Sequence, residues 1–222
     1  MPVSLTCACI VTLSIQPTSI ELYRKAIAER AQKKRLVFRM LEGKNVNLRV
    51  MEKEDLPLLI EWSNSLEFLG EYFSPHQTSL TEREKAFSEP SPFEMKRFII
   101  EKKDGTKIGF ILHFNALHPM METVEIAYAL MPSERRKGYC AEAAHLMVDY
   151  LFLSKDKPCV QAMTHIKNVA SQGVLQKVGF KKEGTMRKRL YIRGEWADIV
   201  TFSILRGEWK EPKILTKGTS EI

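Results

Sequence analysis

From Leu41 onward two periodicities take turns along the chain, and their order predicts layers of strand and helix. Asn45 to Val50 alternates apolar and polar residues and predicts a strand. Glu54 to Ser65 carries Leu56, Leu59, Ile60 and Trp62 as the buried face of a helix, with Asp55 near its start to complement the helix dipole. Gly70 to Thr78 is irregular and aromatic (Tyr72, Phe73, Pro75, His76). Thr81 to Phe87 predicts a short helix, and a Pro-Ser-Pro loop follows at residues 90 to 92. Lys96 to Glu101 and Lys107 to Asn115 predict two strands, joined by the hairpin signal Asp104-Gly105. Val124 to Met131 is an apolar strand. Ala141 to Leu153 then places Ala143, Leu146, Met147, Tyr150 and Leu151 at helical spacing. Cys159 to His165 predicts a strand and Asn168 to Val178 a helix, ended by Gly179 as a C-cap. Phe180 to Arg189 and Asp198 to Leu205 are the last strands, with Arg193-Gly194 in the turn between them. The order β-α-α-β-β-β-α-β-α-β-β predicts a single α/β domain, a mixed β-sheet with helices on both faces.

The flanks differ from this core. Residues 1–39 form a basic N-terminal extension, residues 40–209 the folded domain, and residues 210–222 a loose tail. Within the extension, Ile20 to Leu36 has Ile20, Tyr23, Ile27 and Ala31 spaced as in a basic amphipathic helix, which suits either a partner-binding arm or an accessory helix. Val3 to Ile15 is broken by Thr, Ser and Cys and lacks a basic start, so it does not read as a signal peptide. Met40-Leu41-Glu42-Gly43 looks like a natural protein start, and residues 1–39 are then expected to be an upstream over-translation.

Charge changes the picture only in part. The formal net charge is +7 over 222 residues, and residues 1–39 alone carry seven Lys/Arg against two Glu. The folded part is therefore close to neutral, and the basic balance gives no strong nucleic-acid signal. No apolar run reaches the length of a membrane span, so no membrane partner is expected. The four cysteines, Cys7, Cys9, Cys140 and Cys159, form no Cys-x-x-Cys pair and are joined by no His cluster. A disulfide framework or metal site is not expected, and a reducing, cytoplasmic setting fits best. His113, His145 and His165 sit at no ligand spacing and read as surface or satisfied core residues.

Candidate chemistry concentrates where the central strand meets the long helix. Pro132 to Ala144 reads Pro-Ser-Glu-Arg-Arg-Lys-Gly-Tyr-Cys-Ala-Glu-Ala-Ala. Pro132 ends the strand because it has no N–H for a ladder. Arg135, Arg136 and Lys137 crowd the turn, Gly138 lets the backbone bend, and the helix opens with its first N–H groups unpaired. Such a turn suits a phosphate or pyrophosphate. It lacks the Gly-x-x-x-x-Gly-Lys-Ser/Thr of the nucleotide loop and the three glycines of the dinucleotide fingerprint. The same residues also suit an ordinary solvated strand-to-helix turn.

Arg135-Arg136-Lys137-Gly138-Tyr139-Cys140 resembles the acetyl-CoA pyrophosphate loop of the GNAT N-acetyltransferases, Gln/Arg-x-x-Gly-x-Gly/Ala, with Cys140 standing where the family has Gly or Ala. The continuation through Ala143 resembles the Gly-Tyr-Ala-x-Glu-Ala of the ribosomal-protein-alanine N-acetyltransferase-like branch. Asn168-Val169-Ala170-Ser171, then Leu175-Gln176-Lys177-Val178-Gly179-Phe180, resembles the run that closes the GNAT fold. Lys181 to Gly184, Gly194 to Asp198 and Leu41 to Arg49 resemble further parts of the same branch, so the resemblance covers about residues 41 to 209.

The resemblance implies acetyl transfer from acetyl-CoA, as cosubstrate and without a metal, to a primary amine. Positioning is its largest catalytic contribution. Arg135, Arg136, Lys137, Gly138, Tyr139 and Cys140 would hold the pyrophosphate, mainly through backbone N–H groups. Leu130 and Met131 would pair with the pantetheine arm and leave an N–H to polarise the thioester carbonyl. Asn168 would contact the cofactor arm. Glu125, five residues before Leu130, would deprotonate the amine, or is a structural strand residue. Ser171 would reprotonate the thiolate, or only caps the helix start. Two positions depart from the pattern: Leu175 stands where many GNAT enzymes have Tyr, and Leu190 where some relatives have Glu. Trp62, Phe68, Tyr72 and Phe73 would line the acceptor side, with core packing the plainer role for Trp62. The expected acceptor is a protein N-terminal α-amine, with a small-molecule amine (antibiotic, amino acid or polyamine) or a non-catalytic acyl-CoA-binding module as alternatives. A homodimer is common in this fold.

Overall fold

A computed structural model describes residues 41–74, 77–89, 91–116 and 122–210. The helix expected over Ile20 to Leu36 and the tail after residue 210 lie outside the described residues. Eight strands form one sheet: β1 (Leu41–Glu42), β2 (Val46–Val50), β3 (Lys96–Lys102), β4 (Lys107–Asn115), β5 (Val124–Leu130), β6 (Cys159–His165), β7 (Lys181–Ile192) and β8 (Glu195–Leu205). The helices are α1 (Leu56–Asn64), α2 (Leu66–Leu69), α3 (Leu80–Ser88), α4 (Tyr139–Ser154) and α5 (Val169–Val178). The strand order is β1-β2-β3-β4-β5-β6-β8-β7. Every neighbouring pair is antiparallel except β5 and β6, which are parallel.

Alternation along the strands sends side chains to two cores. One face meets α4 and α5, where Phe98, Ile100, Ile111, Ile126, Leu146, Met147, Leu175 and Phe202 pack together. The other meets α1 and α2, where Leu56, Leu59, Trp62, Phe68 and Ile99 form a smaller cluster with Phe110, Ala129 and Met131 against it. Trp62 stacks on Phe68 with ring centroids 5.1 Å apart, so it is a core residue, as its plainer role required. The expected mixed α/β sheet with helices on both faces is thus observed.

Three details differ from expectation. The last hairpin is longer, because β7 and β8 run to a two-residue turn in which Arg193 and Gly194 both have positive φ (48° and 90°). A one-turn helix, α2, precedes the irregular aromatic segment, and the Ser65 hydroxyl caps it by accepting the Phe68 N–H at 3.2 Å. Asp55 stands at the N-cap of α1, where it suits the helix dipole, but it does more than that. It is buried, and Arg49 and Lys107 both donate to it, with Arg49 also bound to Glu101 at 2.9 Å.

Two carboxyl and guanidinium clamps set the position of α4. Glu142 in its first turn accepts from the amides of Asn45 (2.7 Å) and Val46 (3.2 Å) and so ties the helix start to β2. Arg206 donates to the carbonyl of Phe152 at 3.1 Å and to that of Lys155, closing the other end.

Candidate active site

A wedge opens in the middle of the sheet. β5 pairs with β4 along its whole length, from Asn115 opposite Val124 to Gly109 opposite Leu130. It meets β6 only at Val124 and Glu125, opposite Val160 and Gln161. Beyond Glu125 the two strands separate, while β6 stays paired with β8 as far as His165. Glu125 therefore marks the apex of the wedge and Leu130 its mouth. The Met131 amide donates to the Ile108 carbonyl at 2.9 Å. The alternation of an antiparallel ladder then turns the N–H and C=O of Ile126, Tyr128 and Leu130 toward the wedge. Gly109 permits this close register, since a Cβ there would sit 2.2 Å from the Ala129 carbonyl oxygen.

The backbone inventory narrows the expected cofactor contacts. The Leu130 carbonyl accepts from Arg135 Nε at 3.1 Å. Both backbone groups of Met131 are engaged, its N–H with Ile108 and its carbonyl with the Glu134 N–H at 2.9 Å. The two residues expected to face the cofactor arm thus differ in what their backbone has already engaged. Of the two, Leu130 alone turns its N–H into the wedge.

At the wedge mouth, Pro132–Glu134 makes one tight turn and α4 starts at Tyr139. Arg136 (φ 61°) and Gly138 (φ 86°) both adopt left-handed backbone. Such residues beside right-handed ones curl successive N–H groups into an anion-binding concavity. The Glu142 N–H is the first to close the helix, onto Gly138 O at 3.1 Å, so the N–H groups of Tyr139, Cys140 and Ala141 precede the first helical hydrogen bond. A Cβ on Gly138 would meet nothing within 4 Å. The space beside Gly138 is open.

The three cations of the loop do different things. Arg135 is a brace: besides the Leu130 carbonyl, it donates to the Phe68 carbonyl at 2.7 Å and locks the loop to α2. Lys137 pairs with Glu134 at 3.1 Å. Arg136 is exposed. The backbone, with Arg136 nearest to a free charge, is what the loop offers an anion. Cys140 faces inward against the main core. Burial pushes its thiol up to about 12, so it fills the family's small-residue position as an apolar group and not as a nucleophile.

Asn168, Ser171 and Tyr128 meet on the α4–α5 face. Asn168 caps α5, its side-chain oxygen accepting the Ser171 N–H at 3.0 Å. The cap is thus Asn168, and the Ser171 hydroxyl is left for other work. That hydroxyl lies 3.1 Å from the Tyr128 hydroxyl, which also donates to the Ser171 carbonyl at 3.3 Å. Tyr128 was missed in the sequence, where nothing distinguishes it from a packing residue of the central strand. Burial, with the nearby Cys140, pushes its phenol far above the ordinary range, while the Ser171 hydrogen bond opposes this. It stays a neutral hydroxyl at any ordinary pH.

Glu125 lies on the opposite face. Strand alternation puts residues 125, 127 and 129 together, and Ala129 packs with the α1–α2 cluster. Glu125 is buried, 8% exposed, and burial raises its carboxyl above the ordinary value. A carboxyl group on one face of the wedge and a hydroxyl pair on the other are groups that can take a proton on one side and give one on the other.

The remaining candidates divide. The Tyr72 hydroxyl donates to the Lys167 carbonyl at 3.0 Å, and its ring lies 5.0 Å from that of His165. Arg193 at the hairpin tip donates to the Gly70 carbonyl at 2.7 Å. The aromatic segment is thereby pinned over the α1–α2 side. Phe73 is exposed, Phe68 is core, and Leu175 is fully buried, whereas Leu190 is exposed on β7. His113 is not the satisfied core residue expected: it is fully buried and neither ring nitrogen has a hydrogen-bond partner. Among the described residues no group of three or more His, Cys, Asp or Glu side chains is placed to hold a metal ion, and no helix is long and apolar enough to cross a membrane.

Residues 45–181 match the family described as acetyltransferase (GNAT) domain. The chain is 29% identical over 177 residues to the probable N-acetyltransferase YjcK of Bacillus subtilis, covering 75% of this chain and 97% of YjcK. The fold superposes on spermidine N-acetyltransferase from Vibrio cholerae in complex with CoA and spermine, with TM-score 0.67, 20% identity, and 74% and 98% of the two chains covered. It also superposes on the ribosomal L7/L12 alpha-N-protein acetyltransferase RimL in complex with coenzyme A, with TM-score 0.63, 19% identity, and 73% and 95% covered.

Proposed function

The chain belongs to the GNAT acetyltransferase family, and from that premise we propose that it moves the acetyl group of acetyl-CoA to a protein N-terminal α-amine. The observation that carries the proposal is the wedge between β5 and β6, with a helix N-terminus and a left-handed turn at its mouth. The curled N–H groups from Arg136 to Ala141 suit the pyrophosphate. The wedge has inward amides to receive the pantetheine arm, and the Leu130 N–H is the donor nearest the mouth for a carbonyl oxygen that gains charge.

The steps then follow from the two faces. The amine enters on the α1–α2 side, and Glu125, as carboxylate, takes its proton directly or through water. The amine nitrogen bonds to the thioester carbon, and the C–S bond breaks. The leaving thiolate takes a proton from Ser171, which Tyr128 orients on the α4–α5 side, and Ser171 regains one through solvent from the nitrogen as it becomes the amide.

The charge of one strand supports the protein acceptor. Residues 181–193, which form β7 and the first turn residue, hold six Lys/Arg and one Glu. β7 repels a polyamine and attracts an acidic polypeptide, and Glu195 and Asp198 on β8 offset this only in part. The test is thiol release from acetyl-CoA with three acceptors: an acidic hexapeptide with a free N-terminus, its N-blocked form, and spermidine. Release with the free peptide alone is the expected result. Preference for spermidine would replace the protein acceptor by a polyamine, and acetyl-CoA binding without release for any amine would leave a non-catalytic module.

A further inference from the structure

A cavity of about 600 Å³ opens between α1, α3 and the adjoining ends of β2 and β3, with none of its lining residues in the wedge or in the loop from 131 to 140. Its walls include Leu56, Leu59, Phe87 and Phe98. Two arginines enter it from different elements, Arg83 from α3 and Arg97 from β3. The Nε of each is buried without a hydrogen-bond partner. Their other contacts are weak: Arg83 Nη2 lies 3.5 Å from Ser63 Oγ, and Arg97 Nη2 lies 3.9 Å from Met95 Sδ. The Arg97 guanidinium also sits 5.4 Å from the Phe110 ring centre, face on.

Among the described residues no carboxylate comes within ion-pair distance of either guanidinium. The one acidic group on the cavity wall, Glu89, turns toward Lys85 at 4.0 Å and is largely exposed, while Lys96 adds a third cation. Burial and the charge of Arg83 push Arg97 down to about 10. A desolvated cation without a counter-charge opposes folding unless something else supplies the charge. Guanidinium groups offer fixed donor forks that match a carboxylate, and the apolar wall matches a hydrocarbon body.

We propose that this cavity binds a small organic anion, a carboxylate with an apolar body, held by Arg83 and Arg97. The site does not depend on the acetyl-transfer chemistry, and its test can fail or succeed whatever the acceptor is. The probes are octanoate and octylammonium, which share one apolar chain and differ in charge. Calorimetry on the full chain without acetyl-CoA should show saturable one-to-one binding of octanoate and none of octylammonium. Arg83→Gln and Arg97→Met should each weaken octanoate at least about tenfold, and Arg97→Lys should weaken it less than Arg97→Met. Without ligand, Arg97→Met should melt at or above the wild type, because it removes an unpaired buried charge. Failure of octanoate to saturate, equal binding of the two probes, or unchanged affinity in the arginine variants would overturn the proposal. A lower melting temperature with unchanged octanoate affinity would make Arg97 a structural cation and overturn it too.

Discussion

The hydroxyls of Tyr128 and Ser171 lie 3.1 Å apart, one from the central strand and the other from the first turn of α5. Their positions join two segments 43 residues apart at the wall of the wedge. Removal of either group tests whether the pair serves the leaving thiolate. Ser171→Ala should lower kcat about 10²-fold, the usual contribution of a positioned acid, and leave acetyl-CoA affinity within about threefold. Tyr128→Phe removes the hydroxyl that orients Ser171 and should lower kcat by about tenfold with KM little changed. Single-turnover kinetics with the same peptide acceptor separates the two. Unchanged turnover in Ser171→Ala would remove the pair from the mechanism.

Glu125 should govern the acid limb of the pH–rate profile. Its carboxyl is raised from the ordinary 4.5 by burial, so activity should begin to fall at a pH above that value as the base becomes protonated. Glu125→Gln should lower kcat/KM about 10²-fold or more and abolish that limb. The linkage also has a sign. A raised folded-state value means that Glu125 favours the fold below its unfolded value and loses this contribution as pH rises through the folded value. Glu125→Gln should therefore melt no lower than the wild type at pH 8. A marked loss of stability there would mean that Glu125 holds the sheet together instead.

Two buried groups should set the acid stability, at different pH. Burial, with Lys155 and Lys96 nearby, lowers His113 from 6.5 to about 4. Between those values the unfolded chain binds a proton that the folded chain refuses, so stability should fall by about 3 kcal/mol as pH drops from 6.5 toward 4. Burial raises Asp55, but hydrogen bonds from Arg49, Lys107 and the Glu52 amide outweigh it and hold it at about 2, against an ordinary 3.8. Its contribution is present above 3.8 and is lost only below, toward pH 2. Urea melts at pH 7 and pH 5 should show a clear decline for the wild type, flattened in His113→Leu and retained in Asp55→Asn. Asp55→Asn should instead lose about 3 kcal/mol at pH 7, since it leaves Arg49 and Lys107 short of a partner. Equal pH slopes for wild type and His113→Leu would contradict this assignment.

Much of the fold was legible because the period of the apolar residues switches cleanly between two and 3.6. The central strand, the loop and α4 stood out for a further reason: Pro132 stops the strand and Gly138 permits a left-handed start. Other features depend on distant partners and leave no local mark. Asp55 reads as an N-terminal helix acid until Arg49 and Lys107 are seen around it. Arg135 reads as part of a phosphate loop, and its bond to the Phe68 carbonyl, which braces that loop, leaves no mark in the sequence. Tyr128 reads as core until Ser171 is brought to it. The end of β7 was hidden by Arg187-Lys188-Arg189, where a register shift between Met186 and Leu190 interrupts the alternation.

The most direct test of the wedge and loop as an acetyl-CoA site is calorimetric titration of acetyl-CoA into the wild type and two Gly138 variants. Gly138 has φ 86° and open space before it, so Gly138→Ala should cost only about 1 kcal/mol of backbone strain and bind within about tenfold. Gly138→Glu puts bulk and negative charge where the pyrophosphate would lie, and should weaken binding at least about 100-fold. One-to-one binding by the wild type, kept by Gly138→Ala and lost in a folded Gly138→Glu, is the predicted result. No binding by the wild type, or equal binding by all three proteins, would contradict the account.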